Sequence, residues 1–161
     1  MSGDAVRLVF RVTPDQRLIF TENAVQQMLA HVQWSFWKRE AGGVLLGRHL
    51  LDSNDVVVDE VTGPQSSDRR TRISFFRSKK HEELAKVRWS EEENTLAYLG
   101  LWHTHPEDSP TPSGVDRKDW QQAVEKDTFD GPQLFFPIVG RREIRVWTKS
   151  RRGQILELTK L

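Results

Sequence analysis

The stretch Thr95–His105, TLAYLGLWHTH, constrains the fold of this chain more than any other. It is the most apolar strand candidate in the sequence, and it stops at Pro106, which has no backbone N–H to offer a ladder. It reads as a buried, central strand. His103 and His105 stand two residues apart on it, so both side chains leave the same sheet face and can share one ligand. Two imidazoles in an apolar setting need partners of some kind.

The segments around it supply the rest of a mixed sheet. Val6–Val12 alternates as a strand, and Arg17–Phe20 extends it after the turn Thr13-Pro14-Asp15. Thr21 is a plausible N-cap for a helix whose apolar stripe is Val25, Met28, Leu29, Val32 and Phe36. That helix is expected to run to about Lys38–Glu40, where Gly42 and Gly43 follow. Gly43–Leu51 and Asp55–Val61 form a hairpin around Asp52-Ser53-Asn54. A polar loop, TGPQSSDRRT, leads to one short strand at Arg72–Arg77 and a helix at Ser78–Trp89. After the histidine strand come a loop, a helix from Ser113 to about Lys126, and strands at Gln133–Val139, Glu143–Lys149 and Gln154–Thr159. The fold class is α/β or α+β, a mixed sheet with three helices, in one domain spanning residues 1–161.

Composition narrows the chemistry. The 161 residues include no cysteine, which rules out disulfides, thiol nucleophiles and Cys-based zinc ribbons. Any metal must therefore sit on histidines and carboxylates. The net charge of +1 argues against bulk affinity for nucleic acid or membranes. The first residues, MSGDAVRLVF, lack the basic and apolar regions of a signal peptide, and no apolar run reaches bilayer length, so a cytoplasmic protein is expected.

The informative segment is LGLWHTHPEDSPTPSGVD, residues 99–116. Beyond the two histidines the loop returns to a helix start, where Asp116 lies in the first turn and can face the strand end. Two imidazoles and one carboxylate leave a fourth zinc position open for water, the pattern of a catalytic site. Ser113 can donate a hydrogen bond to an oxyanion developing nearby. Glu40, just ahead of GGVLLG, is the candidate for proton transfer. Taken alone, Ser113-x-x-Asp116 is also a helix-capping signature, and the two roles are compatible.

His103-Thr-His105-Pro followed by Ser113-x-x-Asp116, with Glu40-Ala-Gly-Gly-Val-Leu-Leu-Gly upstream, resembles the JAMM metallopeptidases of the MPN domain family. The resemblance runs from the helix near Thr21 to the strand near Trp147. It implies a curved mixed sheet flanked by helices, with one zinc at the end of the histidine strand. The implied ligands are His103, His105 and Asp116, with Glu40 as general base and then acid and Ser113 stabilising the oxyanion. It further implies hydrolysis of the peptide or isopeptide bond after the tail of a ubiquitin-like protein. WHTHPE, PTPS and Asp116-x-x-x-Trp120 are most similar to the prokaryotic JAB peptidases of CBASS anti-phage operons. There the implied partners are E1- and E2-like enzymes, and the substrate is a conjugate of the operon's nucleotidyltransferase.

Other readings stay open at this stage. They are a JAMM hydrolase trimming a sulfur-carrier precursor or peptide, a non-catalytic MPN binding module, and a nucleic-acid-binding relative. The six tryptophans are expected mostly in the core. His31 and His49 are expected on the surface, and His81 is ambiguous and outside the site. Arg70 and Arg72, in a basic run beside the expected cleft, are candidates for steering an acidic substrate tail that adds to the strand edge.

Overall fold

The computed structural model describes residues 7–161. Val6, expected to open the first strand, lies outside the described residues. The elements are β1 (Leu8–Thr13), β2 (Gln16–Phe20), α1 (Glu22–Leu29), β3 (Gly42–His49), β4 (Val56–Val61), β5 (Arg69–Thr71), β6 (Ser74–Phe76), α2 (Lys80–Glu91), β7 (Ala97–Thr104), α3 (Gly114–Lys126), β8 (Gln133–Val139), β9 (Ile144–Ser150), β10 (Leu156–Glu157) and β11 (Thr159–Lys160). The main sheet has the order β10-β9-β8-β7-β3-β4-β2-β1-β11. It is mixed: β7 runs antiparallel to β3 and parallel to β8, and β2 runs parallel to β4. The expected architecture, a curved mixed sheet with three helices, is the one found.

The histidine strand is central because both its faces are apolar. On one face Leu99 and Trp102 join Phe10, Phe20, Leu45, Val58 and Phe135, with Ala24, Val25 and Met28 of α1 packed over them. On the other, Leu101 joins Val44, Leu46, Phe136 and Trp147 under Trp120, Ala123 and Val124 of α3. A register shift opposite Leu45/Leu46 breaks the alternation of β7, so Leu99 and Leu101 face opposite ways. Gly100 sits at that irregularity with φ +153°, and a Cβ there would collide with the Phe135 carbonyl oxygen. This residue needs to be glycine for β8 to lie against β7.

The single C-terminal strand expected at Gln154–Thr159 is divided. Leu156 and Glu157 pair with β9, whereas Thr159 and Lys160 pair with β1, and buried Leu158 turns inward between them. The other seven strands curve until both of their edges come within reach of one short segment, and that segment covers both.

Two other expectations are corrected. Helix α1 ends at Leu29, not near Glu40, because Trp34-Ser35-Phe36-Trp37 is a poor helical stretch and Gln33 is drawn into the interior. Phe36, assigned to the helix stripe, is exposed. The region 69–76 forms a two-stranded hairpin, β5–β6, where one strand was expected. Its turn is held by contact between the Thr71 and Ser74 hydroxyls. Of the tryptophans, 102, 120 and 147 are buried, but 34, 37 and 89 are not. His31 and His49 are half-buried, the former against the Trp102 ring. Among the described residues no helix is long and apolar enough to cross a membrane.

Candidate metal centre

Strand β7 delivers both histidines to one point. His103 Nε2 and His105 Nε2 face each other at 3.1 Å. Asp116, from the first turn of α3, closes the triangle: Oδ1 lies 3.1 Å from His103 Nε2 and Oδ2 lies 3.0 Å from His105 Nε2. Four-coordinate zinc with bonds of about 2.0–2.1 Å keeps its ligand atoms roughly 3.3 Å apart; the two ring nitrogens stand near that spacing, and each has a different Asp116 oxygen beside it. Two ring nitrogens and a carboxylate, all convergent, are a donor set for such a metal.

Asp116 is aimed by the helix start. Ser113 N–H donates to Asp116 Oδ2 at 2.8 Å, and Asp116 N–H donates to Ser113 Oγ at 3.1 Å, a complete capping box. Ser113 Oγ accepts in that bond, so its hydroxyl proton is free to be donated elsewhere. Behind the helix, Trp120 stacks on Phe136 with centroids 4.9 Å apart and stands 6.4 Å from the His103 ring.

Glu40 approaches from the segment between α1 and β3. Its carboxylate and the two histidine nitrogens lie within 4.8 Å of one another. The side chain is buried, and its backbone is gripped from both sides: Glu40 N–H donates to Thr71 O at 2.8 Å, and Arg70 Nε–H donates to Glu40 O at 2.7 Å. Arg70 therefore holds the residue expected to move protons. Arg72 lies with its guanidinium 4.1 Å above the Phe36 ring.

A buried network that sequence reading does not reveal sets the height of this segment. Thr104, between the two histidines, turns to the opposite face, where its hydroxyl donates to Gln33 Oε1 at 2.8 Å. The Thr104 hydroxyl oxygen accepts from Ala41 N–H at 3.0 Å. Gln33 Nε2 in turn donates to Lys38 O at 2.9 Å and Arg72 O at 2.8 Å. The residues flanking Glu40 are thus tied to the histidine strand itself. The sequence offers only Gln33 itself, directly ahead of the aromatic run Trp34–Trp37, as a signal.

The charges are strongly coupled. Burial pushes the Glu40 carboxyl up to about 8, assisted by Asp116 and Glu107 and opposed by His105. For His105, burial works against the charged form, but hydrogen bonds to Asp116 and Glu107 outweigh it and push the imidazole up to about 9. Burial would raise the Asp116 carboxyl, yet hydrogen bonds from both histidines hold it well below the usual carboxylate range.

Glu107 is the second residue missed from the sequence. His105 Nδ1–H donates to Glu107 Oε1 at 2.8 Å, which leaves the Nε2 lone pair for a metal. Its loop is fixed from behind: Arg141 N–H donates to Glu107 O at 2.7 Å, and a Cβ on Gly140 would come within 2.8 Å of that oxygen. Glu107→Ala is expected to weaken metal binding about 10- to 100-fold, read from zinc competition with a chromogenic chelator. An unchanged affinity would make Glu107 a bystander.

His81 lies in a different network and is fully buried. Thr62 Oγ1–H donates to His81 Nδ1 at 2.6 Å, and His81 Nε2–H donates to Asp68 Oδ2 at 2.8 Å. Thr62 Oγ1 also accepts from Val44 N–H, so the chain of bonds fastens α2 to β3 and to the end of β4.

A curved mixed sheet with this donor set at the end of its histidine strand defines an MPN-type domain. The chain belongs to the family described as prokaryotic homologs of the JAB domain, whose match spans residues 21–150. It is 37% identical over 138 residues to a protein of Pseudomonas aeruginosa named CD-NTase/cGAS isopeptidase, covering 85% of each chain. A Vibrio cholerae protein of the same name is 31% identical over 147 residues, covering 91% of this chain and 90% of the relative. The solution structure of a Desulfitobacterium hafniense protein superposes with a TM-score of 0.56 at 25% identity, over 86% of this chain and 87% of that one.

Proposed function

We propose that the chain, residues 1–161 acting as one JAMM domain, is a zinc-dependent isopeptidase. It hydrolyses the bond after the C-terminal tail of a conjugated protein in a bacterial anti-phage system. The observation that carries this reading is the convergence of His103, His105 and the Asp116 carboxylate, with N–N and N–O contacts of 3.0–3.1 Å, beside the buried carboxylate of Glu40. Relatives covering nearly the whole chain are named CD-NTase/cGAS isopeptidases, which supports a CD-NTase conjugate as the substrate. E1- and E2-like enzymes are the partners that would build it.

Zinc held by His103, His105 and Asp116 would supply Lewis-acid polarisation of the scissile carbonyl and activation of water. The protein's own part is proton transfer and charge stabilisation. Glu40 takes the proton of the attacking water on its carboxylate and delivers it to the leaving lysine amine. Burial raises the Glu40 carboxyl in the metal-free site, and a zinc ion beside it would draw it back down, toward a group able to accept and release a proton near neutrality. Ser113 Oγ–H donates to the oxygen that becomes negative as the carbonyl is attacked. Glu107 fixes the His105 ring, and Arg70 and Thr71 fix the backbone of Glu40.

The test is cleavage of the conjugate made by E1/E2-like enzymes on a CD-NTase, with wild type, Glu40→Ala and chelated wild type side by side. Cleavage by wild type alone is expected. A conjugate left intact by zinc-loaded wild type would overturn the substrate assignment.

A further inference from the structure

Bulky apolar side chains stand in the open on the segment that leads to Glu40 and on the hairpin bonded to it. Trp34, Phe36 and Trp37 are 67%, 73% and 80% exposed, and Ile73 at the tip of the β5–β6 hairpin is 71% exposed. The two segments form one surface: Arg72 covers the Phe36 ring, and Gln33 Nε2 bonds the carbonyls of both Lys38 and Arg72. The segment ends at Glu40, whose N–H is bonded to Thr71 of the hairpin. A folding core has no use for aromatics in such a place, and contiguous exposed apolar patches of this kind mark interaction sites. Trp is the residue most enriched at interface hot spots, and Arg is also enriched there.

The charge of the surface selects the partner. Residues 33–39 and 69–77 contain Lys38, Arg39, Arg69, Arg70, Arg72 and Arg77 and not one carboxylate, in a chain whose net charge is only +1. Among the described residues, Arg77 is the one of these six in an ion pair, with Asp119. The face is therefore apolar and cationic at once, complementary to an acidic segment that also carries apolar side chains. A nucleic-acid strand fits less well. Two of the guanidiniums already lie over phenylalanine rings, Arg69 on Phe76 and Arg72 on Phe36, and Arg70 is engaged with the Glu40 carbonyl. What they still offer is a few edge-on donors suited to single carboxylates.

We propose that Trp34, Phe36 and Trp37, with Ile73 and the arginines of β5–β6, are the docking face for an acidic, apolar-bearing segment of the conjugate that lies beyond the residues flanking the scissile bond. The inference rests on the isopeptidase reading and deepens it. The aromatics act on capture, and the chemistry remains with the metal centre.

The experiment compares zinc-loaded wild type with the double variant Trp34→Ser, Trp37→Ser, whose side chains lie outside the core. Two substrates are used: the full conjugate, and a short isopeptide of the CD-NTase C-terminal residues on a single lysine. Binding of the full conjugate to each protein in a Glu40→Ala background provides a readout that needs no turnover. The expected result is a KM for the conjugate raised more than tenfold in the double variant, with kcat changed less than twofold. Its binding should weaken by the same factor, while turnover of the short isopeptide and the Tm stay as in wild type. Arg72→Glu should raise the same KM, and added salt should raise it in wild type more than in that variant. An unchanged KM and affinity in the double variant would overturn the docking face while leaving the isopeptidase intact. So would an equal loss on the short isopeptide, or a salt-sensitive oligonucleotide affinity lost in the double variant alongside an unaltered conjugate affinity. Wild type inert on both substrates would overturn the isopeptidase reading itself, independently of the binding measurement.

Discussion

Glu40→Ala is expected to retain its zinc and lose roughly a hundred- to ten-thousand-fold in kcat, the range associated with removing a general acid–base. Retention follows from how the residue is held. Its backbone is fixed by Thr71 O and Arg70 Nε, and its neighbours by Gln33, so loss of the side chain leaves the segment in place. In the proposed site His103, His105 and Asp116 would hold the metal without it. Metal content by atomic absorption and single-turnover rates on the conjugate check the two halves separately. Near-normal turnover would assign proton transfer elsewhere, and loss of zinc would make Glu40 a ligand.

Asp116 is expected to give the largest combined effect, because one carboxylate serves two purposes. Asp116→Ala removes a metal ligand and also the acceptor for Ser113 N–H, so it should lose zinc, turnover and about 1 kcal/mol of helix-start stability. Asp116→Asn keeps an oxygen for Ser113 N–H but loses the anionic ligand. It should lose zinc and turnover while its metal-free Tm stays well above that of the alanine variant. Equal Tm values for the two would show that the cap contributes nothing.

Zinc uptake should also depend on pH with a definite sign. In the metal-free chain His105 is raised from 6.5 to about 9, so its contribution to stability is complete below 6.5 and is lost as pH rises through about 9. The metal needs the unprotonated ring, so binding at pH 7 must expel that proton. Zinc affinity should therefore fall as pH is lowered from 9 to 7, with proton release visible by calorimetry in buffers of different ionisation heat. A pH-independent affinity across that range would mean that His105 is already neutral.

Legibility in the sequence tracked how local the cause was. Thr95–His105 was readable as the central strand because its apolar run, its paired histidines and Pro106 are properties of adjacent residues. Thr21 and Ser113 were readable as N-caps because capping acts over three residues. The spacing from His103 to Asp116 was enough to point to a shared metal, since a strand, a loop and a first helical turn have fixed dimensions. The length of α1 was not legible, because a long-range contact ended it. Gln33 is taken by Thr104, 71 positions away, and Trp34–Trp37 are left outside.

The same distinction separates what each level of structure decided. By itself the sequence determined the fold class, marked His103, His105 and Asp116 as the candidate ligands, and excluded any cysteine chemistry. Only the tertiary structure decided that Gln154–Thr159 would divide between two sheet edges, because those edges come together only once the other seven strands have curved. It also decided that Glu107 would orient His105, that Arg70 would hold Glu40, and that three aromatics would stand open on the segment that leads to Glu40. Those arrangements depend on backbone groups and side chains far apart in the chain, and no pattern of neighbouring residues encodes them.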